Sequence, residues 1–151
     1  MAIDDKILQL IPHRPPMLLI HELIDVNDKA SMAKVVIDDS VPFFRAGQGV
    51  PAWIGVEYMG QTAALIAGHQ VQQGSTTPHL GFLLGTRKYR SEISHFPDNS
   101  ILSISCQEQA LVGESLATFA CDIRFHADYS DDEKLLATAS LTVFRKPVES
   151  I

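Results

Sequence analysis

The chain has 151 residues, 46% of them hydrophobic and 20% charged, a balance that suits one folded core and excludes a disordered, collagen-like or coiled-coil protein. Twelve Lys and Arg against eighteen Asp and Glu give a net charge of −6, which excludes a general nucleic-acid binder, because affinity for a phosphate backbone needs a basic surface. Cys106 and Cys121 form neither a disulfide scaffold nor a zinc pattern, and Met1 to Asp5 lacks the basic start and apolar run of a secretory signal, so a reduced, cytoplasmic protein is expected.

Asp4 and Asp5 ahead of Ile7, Leu8, Leu10 and Ile11 predict a short opening helix with acids at its positive end. Pro12 and Pro15-Pro16 stop it. Met17 to Val26 and Ser31 to Ile37 read as two strands joined by the polar turn Asn27-Asp28-Lys29. From Asp38 to Pro51 the prolines at 42 and 51 and the glycines at 47 and 49 break any period. Pro51 sits well just ahead of a helix, which runs from about Ala52 to Gln72 and ends near Gly74. Four further strands follow: Leu80 to Tyr89, Ile101 to Gln109, Glu114 to His126 and Leu135 to Phe144, with turns at Gly113 and at Tyr129-Ser130-Asp131-Asp132.

Val50 to Gly68 carries a single charge, Glu57, and is long enough to raise the question of a membrane span. Gly55, Gly60, Gly68, the alanines, Gln61 and Thr62 keep its hydrophobicity modest, and it has no basic flank. It reads instead as a helix apolar all round because every face is covered. No membrane partner is expected. The predicted architecture is α+β: an antiparallel sheet of five or six strands wrapped around one long central helix, as a single domain over 1–151. Association through a sheet edge fits that plan.

Glu57 is the residue that could carry chemistry. It lies in the first third of the helix, with Gln61 one turn later on the same face. Burial without a partner raises a carboxyl's pKa, and the positive helix end opposes that shift in part. A glutamate so placed can act as general acid or base near neutral pH, with Gln61 orienting it. A buried glutamate paired with a basic side chain would carry no chemistry, and spacing alone leaves both readings open.

The six histidines are weaker candidates. His69 falls about 120° round the helix from Glu57, on a solvated face. His21 and His126 sit in strand patterns as structural histidines, and His79 follows Pro78 at a strand start. His13, in a turn between Pro12 and Arg14, reads as a structural hydrogen-bonder. His95 precedes a turn at Asp98-Asn99. The chain holds no Ser/His/Asp spacing, metal cluster or phosphate loop, so neither metal nor bound cofactor is expected.

Four stretches carry a family resemblance. Ile11-Pro12-His13-Arg14-Pro15-Pro16-Met17-Leu18-Leu19 resembles the opening motif of the bacterial β-hydroxyacyl-acyl carrier protein dehydratases. Val41-Pro42-Phe43-Phe44 and Gly55-Val56-Glu57-Tyr58-Met59-Gly60-Gln61 resemble that family's loop and its Glu-x-x-x-Gln helix, and Gly81 to Tyr89 its following strand. The resemblance implies a hot-dog fold, at least a dimer, and acyl thioesters carried on the phosphopantetheine of an acyl carrier protein. The chain is most similar to the dehydratase-like proteins of bacterial aryl-polyene clusters.

One departure matters. Those dehydratases carry a catalytic histidine in a Gly-His-Phe-Pro loop before the helix, where this chain reads Arg45-Ala46-Gly47-Gln48-Gly49-Val50-Pro51-Ala52-Trp53, without histidine. His95-Phe96-Pro97 copies the letters after the helix and is not taken as a substitute. In the family the histidine of one subunit faces the acid of the other. The resemblance therefore implies that Glu57 is the acid half of a 3-hydroxyacyl dehydration site, completed in a homodimer or, better, in a heterodimer with a histidine-bearing hot-dog chain. Backbone N–H groups near Ala52, Trp53 and Ile54 would polarise the thioester carbonyl. Trp53 could wall the acyl tunnel, though a core position suits it better.

Two other classes remain open: a thioesterase in which Glu57 activates water, and a non-catalytic acyl-binding or structural subunit. For an acidic carrier protein, Arg87, Lys88 and Arg90 offer a docking patch on an otherwise acidic chain, with Arg45 secondary. They read equally as solvated strand residues.

Overall fold

The computed structural model describes residues 2–74, 79–113 and 115–147. In chain order its elements are helix α1 (Asp5–Leu10), strands β1 (Glu22–Val26), β2 (Ala30–Val36) and β3 (Val50–Pro51), a 3₁₀ turn (Ala52–Ile54) continuing into helix α2 (Gly55–Gln72), and strands β4 (His79–Ser91), β5 (His95–Phe96), β6 (Ile101–Val112), β7 (Leu116–Phe125) and β8 (Leu135–Pro147). The main sheet has six strands in the order β1-β2-β6-β7-β8-β4, every neighbouring pair antiparallel. Strands β3 and β5 form a separate two-stranded ladder.

Local chemistry explains the boundaries. Asp4 caps α1: its Oδ1 accepts the Lys6 N–H at 3.0 Å, while Oδ2 accepts the Leu23 N–H at 3.0 Å and ties the helix start to β1. Asn27 builds the β1–β2 turn, its Oδ1 accepting the N–H groups of Lys29 and Ala30 at 2.8 and 2.9 Å. Gly74 closes α2 with φ +74°, the left-handed conformation common just past a helix end.

Alternation along the strands puts one set of side chains inward. Ala33 and Val35 of β2, Leu102 and Ile104 of β6, Ala117, Phe119 and Ile123 of β7 and Ala137 and Leu141 of β8 form the sheet side of the core. Several are small, so α2 lies close enough for side chains to bond its backbone. The Ser31 hydroxyl donates to the Thr62 carbonyl at 2.6 Å, and the Cys106 thiol donates to the Met59 carbonyl at 3.2 Å. Two helix glycines permit close crossings. A Cβ at Gly68 would collide with the Leu10 carbonyl of α1, and one at Gly55 with the Tyr89 hydroxyl.

The structure corrects several expectations. The helix is not covered on every face: Glu57 is exposed, and Gly60, Ala64, Ala67 and Val71 are half-buried. At steps of three and four residues these make one uncovered stripe along α2. Trp53 is a surface residue, 60% exposed, and not part of the core. Within Met17–Val26 only Glu22 onward is strand; Met17 ends a turn, and residues 17–19 are tied to α2 through Gln61. The predicted strand start at Glu114 lies outside the described residues, and β7 begins at Leu116. The β3–β5 ladder has no counterpart in the sequence reading, because two-residue strands carry no period. Among the described residues no helix is long and apolar enough to cross a membrane.

Candidate active site

Along the uncovered stripe of α2 lies a pocket of about 430 Å³. His13 and Glu57 line it together with Gly60, Ala64, Phe119 and Val143. Glu57 stands in the first turn of α2, where the helix's positive end favours a carboxylate. The expectation of a buried carboxyl fails: Glu57 is exposed among the described residues.

His13 faces the same pocket from the loop after α1. Its position is fixed by Arg14, whose guanidinium donates to the carbonyls of Leu8, Ile11 and His13 at 2.9, 2.9 and 2.7 Å, closing the end of α1. The imidazole is half-buried, and its Nδ1 is buried with no hydrogen-bond partner. That corrects the reading of His13 as a structural hydrogen-bonder. Burial holds its proton affinity below the usual histidine value, with the Glu57 carboxylate opposing and the Arg14 guanidinium adding to the depression.

Gln61 is buried and does something other than orient Glu57. Its Oε1 accepts the Leu19 N–H at 2.8 Å and its Nε2 donates to the Met17 carbonyl at 2.8 Å. Its amide therefore pins segment 17–19 against α2. Spacing along the helix is right for the glutamate, but the segment on the other side reaches the amide first.

The backbone at the helix start is also partly committed. The Ala52 N–H donates to the Ser94 carbonyl at 2.9 Å, and the Ala52 carbonyl accepts the Tyr89 hydroxyl, so Ala52 has no donor to offer a thioester. Burial pushes the Tyr89 hydroxyl up to about 12, so it stays a donor. The next N–H is that of Trp53, at a helix start, where donors lack an intrahelical acceptor. Ile54 is buried in the core. The Trp53 ring stands edge-on to Phe43, centroids 6.2 Å apart, on the surface of the loop before the helix.

Among the described residues His21, His69, His95 and His126 do not line the Glu57 pocket. His21 is buried, and its Nδ1 accepts the Val36 N–H at 2.9 Å. His126 Nδ1 accepts the Asp128 N–H at 2.9 Å, and His69 sits 3.6 Å from the Asp28 carboxylate. His95 pairs with Pro51 in the β3–β5 ladder, beside the helix start, and its Nε2 is buried without a partner. It does not line the Glu57 pocket among the described residues. The His79 side chain lies outside the described residues. Arg87, Lys88 and Arg90 are exposed on β4, the end strand of the sheet, where Lys88 at φ +56° marks a bulge. Arg45 is exposed on a tight turn closed by its bridge to Gly49. Among the described residues no group of three or more His, Cys, Asp or Glu side chains is placed to hold a metal ion.

One long helix held in a curled antiparallel sheet, with an acid at the helix start, defines a hot-dog protein. The dehydratase heterocomplex ApeI:P of Xenorhabdus doucetiae superposes with a TM-score of 0.81, at 25% identity over 95% of this chain and 91% of that one. A hypothetical thioesterase of Streptococcus pneumoniae TIGR4, solved with coenzyme A, shares the fold at a TM-score of 0.63 and 12% identity, covering 85% of this chain and 88% of its own. The Escherichia coli PaaI protein does so at 0.63 and 10%, covering 82% of each chain. No curated protein sequence matches the chain. Residues 5–150 match the ApeP-like family model, described as ApeP dehydratase, and the chain belongs to that family.

Proposed function

We propose that this chain supplies the acid half of a site that dehydrates 3-hydroxyacyl thioesters carried on the phosphopantetheine of an acyl carrier protein, in fatty-acid-like assembly of aryl polyenes. A second hot-dog chain supplies the histidine. The carrying observation is the position of Glu57: exposed in the first turn of α2, on a stripe that the described residues leave open, with no histidine in the loop before the helix. The structural relative from Xenorhabdus doucetiae, a dehydratase heterocomplex, supports the two-chain reading.

In this reading the partner's imidazole takes the proton from C2 of the acyl chain. The C2–H electron pair forms the C2=C3 bond as the C3–O bond breaks, and Glu57 protonates the departing hydroxyl, which leaves as water. The Trp53 N–H, together with donors from the partner, polarises the thioester carbonyl. Arg87, Lys88 and Arg90 receive the acidic carrier protein, and reversing Arg87 and Lys88 to glutamate weakens its binding.

The test is dehydration of a 3-hydroxyacyl carrier-protein substrate by this chain alone, by its hot-dog partner alone and by the mixture. Activity in the mixture that falls at least a hundredfold with Glu57→Gln supports the reading. Undiminished activity in that variant overturns it. Thioester hydrolysis by this chain alone would replace it with a thioesterase, and silence throughout with a structural subunit.

A further inference from the structure

A buried polar atom without a partner costs about 1–3 kcal/mol, so its persistence calls for a group that arrives from outside the chain. His13 Nδ1 is such an atom, on a ring that lines the Glu57 pocket. The loop that carries the ring is held at both ends. Arg14 clamps the loop on one side through three carbonyls, and Gln61 pins the segment beginning at Met17 on the other.

We infer that His13 is a substrate-binding residue of the Glu57 site, its Nδ1 hydrogen-bonding the C3 hydroxyl of a bound 3-hydroxyacyl thioester. This rests on the proposed function and extends it by a residue of the same chain. The chemistry fits a hydroxyl better than the alternatives. Burial disfavours the charged imidazolium, so the ring is neutral at physiological pH and offers one donor and one acceptor. A hydroxyl can donate or accept, so it satisfies Nδ1 in either tautomer. The charged groups that act on the ring are Glu57 and Arg14. Arg14 is committed to backbone carbonyls, whereas Glu57 shares the pocket. A hydroxyl held between the imidazole and the carboxyl places the leaving oxygen beside the acid that protonates it, while a saturated acyl chain leaves Nδ1 unpaired.

The experiment compares binding of the amide analogues of 3-hydroxyoctanoyl- and octanoyl-pantetheine, whose C2–H is far less acidic than a thioester's and is not removed, to this chain in complex with its hot-dog partner, by calorimetry, for the wild type and His13→Ala. The expected result is a preference of about five- to tenfold for the hydroxylated ligand in the wild type, the size of one hydrogen bond. In His13→Ala the preference is lost while the octanoyl ligand keeps its affinity. A merely structural histidine would weaken both ligands together and leave their ratio unchanged, and that result overturns the inference, as does absence of a preference in the wild type. Should His13→Ala not fold, the wild-type His13 Nδ1 nitrogen resonance serves: it shifts with the hydroxylated ligand and not with the saturated one, or the inference fails. These are binding readouts, so they remain separable from loss of dehydration in Glu57→Gln, which judges the proposed function itself.

Discussion

The side-chain oxygen of Gln61 accepts the backbone N–H of Leu19 at 2.8 Å across 42 residues of sequence, and its nitrogen donates to the Met17 carbonyl at the same length. One buried amide thereby replaces a strand pairing that residues 17–19 do not make. Gln61→Ala removes both bonds and leaves Leu19 N–H and Met17 C=O unsatisfied, a loss of about 2–4 kcal/mol. Gln61→Glu keeps an acceptor for Leu19 but turns a carboxylate toward the Met17 carbonyl. Thermal unfolding should show both variants well below the wild type, whereas Glu57→Gln, one turn away and exposed, stays within about 0.5 kcal/mol of it.

Two glycines of one helix make a matched pair. At Gly68 an added Cβ meets the Leu10 carbonyl, and at Gly60 it meets nothing within 4 Å. Gly60→Ala should therefore stabilise by about 0.5–1 kcal/mol through helix propensity. Gly68→Ala gains the same propensity but must push α1 away from α2, and should lose about 1–3 kcal/mol on balance. Chemical denaturation of the two variants measures both signs in one protein. Equal midpoints would contradict the crossing described here.

Stability should fall as the solution is acidified below the ordinary histidine range. His21 is buried, burial lowers its pKa from 6.5, and its Nδ1 accepts the Val36 N–H, a bond the imidazolium cannot make. A base depressed in the folded state binds fewer protons there than in the unfolded chain. Its contribution is thus complete above about 6.5 and lost as pH falls through the window beneath it, at up to about 1.4 kcal/mol per pH unit. His13 adds in the same direction. His21→Gln keeps an acceptor for Val36 without titrating, so its stability should vary less between pH 7 and 5. An unchanged slope would remove His21 from the account.

Trp53 is the chain's single tryptophan and is 60% exposed beside Phe43, itself 53% exposed. Fluorescence from the isolated chain should show the red-shifted emission of a hydrated indole. On adding the hot-dog partner proposed above, the emission should move to the blue if its docking covers the Phe43–Trp53 pair. An unmoved spectrum in a complex that forms by size would put the interface elsewhere.

Much of this architecture is legible before any coordinates. Strands with strict alternation, β7 above all, appear where Thr118, Ala120 and Asp122 separate Phe119, Cys121 and Ile123. Helix α2 follows from the prolines and glycines that bracket it. What misleads there is the meaning of glycine and alanine. Ala63 is buried and Ala64 is half-open, and nothing in their letters separates the two. The same neutrality hides the stripe on which Glu57 stands and makes the helix read as covered on every side. The role of Gln61 is hidden for a different reason: its partners are backbone atoms brought in by the path of residues 17–19, and spacing along the helix reports only on neighbours in that helix. Ala52 is misjudged likewise, since its N–H partner Ser94 comes from beyond the intervening β4. The signal that could have found His13 was present, a histidine held between prolines and an arginine, but its open Nδ1 is a property of the folded loop alone.

The uncovered stripe of α2 has an evolutionary consequence. The residues that keep the helix in place, Gln61 and the Gly68 crossing among them, lie on faces the fold itself occupies, while Glu57 lies on a face that the described residues leave open. Substitutions at Glu57 therefore meet little resistance from folding, and a lineage can gain, lose or exchange the acid while the scaffold persists.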